Sequence, residues 1–332
     1  MSYELLTINL DKTKDNMVYF IYSNKDIENG EEMPPVVKKG LIGKTLHKTL
    51  YIFSNNPIIF LPFTFFALIE IAGLIFLYLI PRMPLQTLFG PPIRTFWGER
   101  FLHYPYNFLL LPKLSFYSRL LLSIGIGSFL LGTAVALTNE IFNSKKKIRM
   151  GASLKCAAKK YIALFAYGLI INALFYSSEK AITFLLIKYF LSGHKSLLFL
   201  KAQVWLGPIA AGLSFITVLL VQSAFAYVIP ELIIGNQKLL KAFTQSVRLC
   251  IKFFFPTTAL VGLAMLSYIP ILVLIANSSF LIHTFFPEAI FYTLLLGAVI
   301  NSFVIDLPIA VSTTCLYLFY KEQPEQLKGN KK

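Results

Sequence analysis

Residues 57–80 have the sequence PIIFLPFTFFALIEIAGLIFLYLI, an apolar run that is interrupted by a single charged residue, Glu70. About 20 apolar residues are what an α-helix needs to cross the hydrocarbon core of a bilayer. A strand of a transmembrane barrel would alternate apolar and polar residues, and this run does not. The segment is therefore predicted to be a transmembrane helix.

Similar runs recur along the chain, which is 56% hydrophobic and only 14% charged. Such a composition is far from that of soluble globular proteins. Further spans are predicted at about 115–139, 161–178, 205–230, 253–276 and 289–319. The short apolar piece at 181–191 is interpreted either as a tilted extension of the third span or as an interfacial helix. The predicted fold class is all-α: a polytopic transmembrane helical bundle of about six spans with cytoplasmic interfacial amphipathic helices.

The chain is predicted to have three regions: a polar cytoplasmic N-terminal segment at 1–40, a six-span membrane domain at 41–320, and a basic cytoplasmic tail at 321–332. The short apolar core of a cleavable signal peptide is missing near the start, so the first apolar run is expected to remain as an anchor. Lysine and arginine concentrate before the first span, in the second and fourth connections, and at the C-terminus. Because basic residues resist translocation, both termini are predicted to be cytoplasmic, in a bacterial inner membrane.

The formal net charge of +15 is interpreted as positive charge that faces anionic lipid headgroups. Nucleic acid is not an expected partner, because no basic and aromatic binding module supports it. Membrane lipids, above all anionic ones, are the expected partners, with a membrane protein complex as a further candidate. Cys156, Cys250 and Cys315 are placed at or near the cytoplasmic side and predict no disulfide.

The first outer loop, residues 81–114, is rich in proline and aromatic residues. Amphipathic rings prefer the level of the lipid headgroups, so this loop is predicted to lie folded on the outer surface. The alternative is a lid that gates access to a substrate site.

Two inner connections carry a similar pattern of basic residues and serine. The residues Lys145, Ser153, Lys155 and Lys159 recur 93 positions later as Lys238, Ser246, Arg248 and Lys252. A looser third copy at 38–53 precedes the first span. The chain is interpreted as three units, each a surface helix followed by a helical hairpin. The alternative is chance similarity among loops that collect lysine before a span.

The second copy shows the periodicity of an amphipathic helix. Its apolar positions are Leu239, Leu240, Phe243, Val247 and Ile251, and its polar positions are Lys241, Gln245, Arg248 and Lys252. Such a helix is predicted to lie flat at the interface with its basic residues toward lipid phosphates. The candidate lipid-binding residues are Lys145, Lys146, Lys147, Arg149, Lys155, Lys238, Lys241, Arg248 and Lys252.

Residues 228–235, VIPELIIG, are followed by Lys241, Ala242, Phe243, Ser246, Val247, Arg248 and Leu249. This pattern resembles the signature of the membrane domain attached to some bacterial glycerophosphoryl diester phosphodiesterases, which related six-span integral membrane proteins share. The last span, with Asp306, Leu307, Pro308, Thr313, Thr314, Leu316 and Tyr317, resembles the last helix of that family. The resemblance covers about residues 40–320 and implies a six-span membrane domain, from which the long first outer loop departs. It implies no catalysis, because the chain has no room for the phosphodiesterase domain.

Enzymatic motifs are not found, so the chain is expected to be neither an enzyme nor a cofactor protein. The four histidines are scattered at positions 47, 103, 194 and 283 and predict no metal site. A phosphate-binding loop ending in Gly-Lys-Ser/Thr is also missing. Gly127, Ser128 and Gly132 lack the spacing of a serine hydrolase loop and are interpreted as small residues that permit close helix packing.

The intramembrane carboxylates are the best candidates for function, because charge in hydrocarbon is costly unless it faces protein or water. Glu70 lies near the middle of the first predicted span and Asp306 lies within the last. If their helices pack together, the two carboxylates could share a proton or hold a cation, which favours transport. The alternative is that each accepts a hydrogen bond from a neighbouring helix or is simply protonated.

Three functions therefore follow from the sequence. The leading hypothesis is a non-enzymatic membrane protein that encloses a lipid-accessible groove and engages anionic lipids or a partner complex through its basic inner helices. The second is a transporter or permease subunit that uses Glu70 and Asp306. The third is a lipid-modifying enzyme.

Overall fold

The computed structural model describes residues 35–143, 149–186, 188 and 197–329, of which 35–39, 183, 186, 197–208 and 322–329 are described by their backbone only. Within these ranges the regular structure is helical and no strand occurs, so the all-α class is confirmed. Most of the predicted N-terminal segment (1–34), Lys145, Lys146, Lys147 and residues 330–332 lie outside the described residues.

The described helices follow one another along the chain with short breaks. The first half contains α1 (Pro35–Asn55), a 3₁₀ turn (Pro57–Phe60), α2 (Leu61–Leu79), α3 (Leu85–Phe96), a second 3₁₀ turn (Glu99–Leu102), α4 (Asn107–Leu122), a π-helical segment (Ser123–Gly127), α5 (Ser128–Asn143) and α6 (Met150–Lys159). The second half contains α7 (Tyr161–Leu186), α8 (Leu197–Phe225), α9 (Val228–Ile233), α10 (Leu239–Lys252), α11 (Phe254–Leu266), α12 (Ile269–Ala276), α13 (Ser278–Thr284), α14 (Ala289–Ile300), a second π-helical segment (Asn301–Asp306) and α15 (Leu307–Gly329).

Five helical stretches of the described chain are long and apolar enough to cross a membrane. They are Pro57–Leu79, Asn107–Asn143, Tyr161–Ile182, Ile209–Ile233 and Ala289–Lys321. A sixth is obtained if α10 and α11, which meet at an angle of 97°, are taken as one broken span. By length and composition the described helices thus confirm five spans, or six if the broken pair α10–α11 is one span, and the chain is a multi-pass membrane protein by these criteria.

Three predicted spans differ from the observed helices in an informative way. The second begins at Asn107, inside the predicted outer loop. The third continues past Glu179 and Lys180 to Leu186, because both residues are good helix formers and the Lys180 ammonium lies 5.3 Å from the centroid of the Tyr176 ring. The fifth, predicted at 253–276, is divided between α11 and α12 because Pro270 stands in the first turn of α12 and cannot continue the preceding helix.

The centre of the bundle is formed by α2, α5 and α15, against which α1 packs. Their buried contact contains Ile59, Phe63, Leu137 and Val311, which are almost fully inaccessible. Helices α7 and α8 form a peripheral hairpin, since only 6% of the apolar stretch of α8 is buried. In a membrane, lipid chains would cover its outward face.

The predicted outer loop is largely helical and packs onto the ends of the spans. Ile93 of α3 and Leu102 of the second 3₁₀ turn are buried against Ile80 and Leu110. This arrangement agrees with a loop that lies folded on the surface.

Helices α1, α6 and α10 occupy the three positions predicted for surface helices. Each buries a hydroxyl-bearing side chain completely, namely Thr45, Ser153 and Ser246. Ser246 Oγ donates a hydrogen bond to the carbonyl of Ala224 and accepts one from the amide of Tyr227, so it fixes α10 to the end of α8. The grouping of the chain into three repeated units stays a prediction.

Candidate functional site

A cavity of about 630 Å³ lies between the peripheral hairpin α7–α8 and the central helices. Its walls come from α2, α4, α7, α8, α11, α12 and the two π-helical segments. The volume is in the range of small-molecule sites, and the lining combines many apolar side chains with a few polar ones, as such sites do.

Arg119 is the centre of the polar part of this lining. Its Nε lies 3.0 Å from Oε1 of Glu70, whose side chain is only 5% exposed. Arg119, Tyr268 and Asp306 line the same cavity, and Asp306 is close enough to the guanidinium to interact with it electrostatically. The structure therefore brings the two predicted carboxylates to one arginine, and we call Glu70, Arg119 and Asp306 the charged triad.

Asp306 is positioned by the second π-helical segment. Asn301 Nδ2 donates a hydrogen bond of 2.7 Å to Asp306 Oδ2, and both side chains line the cavity. Residues five apart point to different sides of an α-helix, but they stack in a π-helix, whose backbone bonds join i and i+5. The wider turn is therefore what places Asn301 beside Asp306.

Close helix packing shapes the cavity on the side of the first π-helical segment. A Cβ on Gly168 of α7 would lie 3.1 Å from the carbonyl oxygen of Ile124, so glycine there lets α7 approach this segment closely and a larger residue would push the two apart. A Cβ on Gly127 would lie 3.1 Å from the Phe66 ring, and one on Gly132 would lie 2.7 Å from Leu164. The interpretation of Gly127 and Gly132 as packing residues is confirmed.

The remaining polar groups of the lining come from several helices. They include Ser123, Asn172, Ser178, Glu179, Ser214 and Gln222. The loop at 81–114 contributes no residue to the lining, so the structure gives no support to the gating-lid alternative.

Sequence reasoning did not identify Arg119, Asn301 or the polar residues of α7 and α8 as site residues. The second span was expected to begin at about 115, which places Arg119 near the outer end of that span and not in the middle of the membrane. The apolar run that precedes it, FLLL at 108–111, is the signal that could have moved the start of the span and placed Arg119 inside the membrane.

The basic residues of α10 form a separate surface. Lys241, Arg248 and Lys252 are exposed on one side of the helix, and Lys238 precedes its first turn. The predicted apolar face is in fact two faces. Leu240, Val247 and Ile251 are exposed, with Leu240 80% and Ile251 73% accessible.

The second apolar face of α10 packs on the protein. It consists of Ala242, Ser246, Leu249 and Cys250, with Leu239 and Phe243 half-buried beside them. The helix thus has one sector for the protein, one exposed apolar sector and one basic sector. This division corrects the expectation of a single apolar face.

On α6, Lys155 is exposed, and the exposed Arg149 precedes the helix. The described members of the predicted lipid-binding set take no part in the cavity lining. The structure therefore separates the two groups of candidate residues: the charged triad lines or adjoins the cavity, and the basic residues lie on the surface helices.

Metal and disulfide chemistry have no visible basis in the described part of the chain. It contains no group of three His, Cys, Asp or Glu side chains that could hold a metal ion. Cys156, Cys250 and Cys315 are all free thiols.

Comparison of the chain with known protein families, with curated proteins and with solved structures gives no match. The resemblance to the phosphodiesterase-associated membrane domain stays a prediction.

Proposed function

We propose that this chain carries a small amphipathic molecule across its membrane and binds it in the cavity between the α7–α8 hairpin and the central helices. The observation that carries the proposal is the charged triad beside a cavity of about 630 Å³, in the middle of apolar helices. Ionisable residues in hydrocarbon are costly and are associated with substrate and ion pathways. The proposal involves no chemical transformation.

The position of the site supports carriage over a purely structural role. Glu70 lies near the middle of Pro57–Leu79 and Asp306 near the middle of Ala289–Lys321. Transporters commonly bind their substrates near the bilayer midplane, where helices are interrupted. Both π-helical segments contribute side chains to this cavity, and α11 ends next to it.

The peripheral hairpin supplies an element that could open the site. The outward face of α8 makes few protein contacts, so movement of the hairpin would be opposed mainly by its inner contacts with α5, α10, α11 and the first π-helical segment. Movement of α7 and α8 would expose the cavity along its length, whereas α2, α5 and α15 would remain packed.

Flux measurements in proteoliposomes test this proposal. Ser214→Trp would fill the cavity and is expected to abolish uptake of a fluorescent amphipathic dye. Gly212→Trp is the matched control, because Gly212 does not line the cavity and a Cβ there meets nothing within 4 Å. Glu70→Gln and Asp306→Asn are expected to slow uptake at least tenfold. Dye flux that is unaffected by Ser214→Trp, Glu70→Gln and Asp306→Asn would remove the proposal.

The surface helices support a second function, the engagement of anionic lipids on one face of the membrane. The observation that favours it is the adjacency of exposed apolar and basic sectors on α10. Apolar side chains can enter the bilayer while the neighbouring basic side chains reach the lipid phosphates. We further propose that this face is cytoplasmic, in a bacterial inner membrane, with both termini on the same side. The lipid component is tested below by replacing the basic residues of α10.

A further inference from the structure

We propose that the ligand of the cavity is an organic cation that carries apolar or aromatic groups. This inference rests on the proposed carrier function and names the chemical class of its ligand. It follows from the charge of the triad and from the aromatic rings that surround the same space.

When both of its carboxyl groups are ionised, the triad has an excess of negative charge. Glu70 and Asp306 supply two carboxylates, whereas Arg119 supplies one guanidinium. Arg119 makes its ion pair with Glu70 at 3.0 Å, and among the described residues Asp306 makes no ion pair of its own. The hydrogen bond from Asn301 orients Asp306 without neutralising it. A ligand that brings one positive charge would balance the three groups.

Aromatic rings form much of the remaining lining. They belong to Phe66, Phe116, Phe175, Tyr176, Phe215 and Tyr268. The face of an aromatic ring is electrically negative and attracts ammonium-type cations, and this attraction is stronger where water is excluded. The chain already shows such a contact beside the cavity, since the Lys180 ammonium lies 5.3 Å from the centroid of the Tyr176 ring.

An anionic ligand is less compatible with this arrangement. It would have to compete with Glu70 for Arg119 and would approach Asp306 and the aromatic rings of the lining at the same time. Repulsion between like charges is large in an environment of low polarity. Arg119 by itself would attract an anion. The lining as a whole, with its carboxylates and aromatic rings, therefore favours a cation.

Two ions of almost the same shape and opposite charge test the inference. Tetraphenylphosphonium and tetraphenylborate both carry four phenyl rings, and tetraphenylsilane is their neutral counterpart. Equilibrium dialysis would measure binding of each to the full chain in nanodiscs of zwitterionic lipid, after subtraction of binding to empty nanodiscs. We expect saturable binding of tetraphenylphosphonium that is at least tenfold tighter than binding of the other two probes.

Variants connect this preference to named residues. Asp306→Asn is expected to weaken tetraphenylphosphonium binding about tenfold and to leave tetraphenylsilane binding unchanged. Glu140→Gln, which removes a carboxylate outside the cavity, is the control for general charge effects and is expected to change nothing. If Asp306→Asn does not yield folded protein, Phe215→Leu replaces it as the test variant. Phe215→Leu removes one aromatic ring and is expected to weaken the binding of tetraphenylphosphonium more than the binding of tetraphenylsilane.

The possible outcomes separate the inference from the function on which it rests. Suppose that tetraphenylborate or tetraphenylsilane binds as tightly as tetraphenylphosphonium and that Ser214→Trp abolishes this binding. That result would overturn the charge assignment and leave the carrier site in place. If Ser214→Trp affected the binding of none of the three probes, both the ligand class and the proposed site would be overturned.

Discussion

Arg119 and Glu70 depend on each other inside the membrane. Burying either ion alone would cost several kcal/mol, and their contact at 3.0 Å recovers much of this cost. Oε2 of Glu70 has no hydrogen-bond partner, so Arg119 is the main group that stabilises this carboxylate. Removing one member of the pair should therefore destabilise the folded protein more than removing both.

Arg119→Gln is accordingly expected to lower the free energy of unfolding by about 3 kcal/mol, because it leaves a buried carboxylate without its cation. The double variant Glu70→Leu/Arg119→Met, which replaces the pair with apolar groups, is expected to lose less than about 1 kcal/mol. Unfolding of the purified variants in mixed micelles by denaturing detergent measures both values. An Arg119→Gln protein as stable as the parent would show that the pair is not a stabilising contact.

Gly168 is the residue on which the approach of α7 to the first π-helical segment depends. Gly168→Leu is expected to destabilise the protein by about 1–3 kcal/mol, because the added side chain meets the backbone of Ile124, which cannot move aside. Gly212→Leu is the control, since the space around Gly212 is open. Thermal unfolding monitored by size-exclusion chromatography compares the two, and equal melting temperatures would contradict the predicted contact.

For single residues, the sequence identifies a charged side chain as a site candidate only when that side chain interrupts an obvious apolar run. Glu70 and Asp306 do so and were predicted as site candidates. Arg119 lies close to a predicted span boundary, and boundaries carry errors of several residues. Asn301 was not predicted because its contact with Asp306 exists only in a π-helical turn.

Among the elements, α10 shows how one helix can serve both the protein and the membrane. Its protein-facing residues recur at helical spacing, and the exposed apolar and basic sectors share the rest of the circumference. The sequence predicted the helix and its basic residues, because these depend on local periodicity. It could not separate the two apolar sectors, because that division depends on contacts with α8 and α9.

Replacing Lys238, Lys241, Arg248 and Lys252 with glutamine is expected to reduce the binding of anionic lipid at least tenfold, because each basic residue at the surface contributes about 1 kcal/mol. Mass spectrometry of lipids retained after purification from a mixture of phosphatidylglycerol and phosphatidylcholine measures the effect.

A matched control for this variant exists on the loop side of the bundle. Replacing Arg82, Arg94, Arg100 and Lys113 with glutamine removes the same number of charges and is expected to leave the retained lipid nearly unchanged. An equal loss of phosphatidylglycerol in both variants would show that overall charge, and not the surface of α10, determines lipid binding.

For the molecule as a whole, the sequence predicted the helical class and the apolar helices far better than it predicted the site. An apolar run of sufficient length indicates a helix that is surrounded by lipid, so the candidate spans could be counted from the sequence. The cavity depends on how α2, α4, α7, α8 and α12 meet, although they are far apart in the chain. The breaks that shape it, at the two π-helical segments and between α11 and α12, leave no clear mark in hydropathy.

If the site opens by movement of the α7–α8 hairpin, a covalent bond between α8 and α11 should stop transport. A Cβ on Gly262 would lie 3.5 Å from Leu219 Cδ1, so side chains at these two positions meet, and Leu219→Cys with Gly262→Cys is the pair to be joined by oxidation once the three native cysteines are replaced with alanine. Oxidation is expected to abolish dye flux in proteoliposomes, and a reductant should restore it. The control pair Gly73→Cys and Ser118→Cys joins α2 to α4, neither of which belongs to the hairpin, at a point where a Cβ on Gly73 would lie 3.4 Å from Ser118 Oγ, and its oxidation is expected to leave flux unchanged. Full flux with the α8–α11 disulfide formed would mean that the hairpin does not move, and the substrate would have to pass through a fixed bundle.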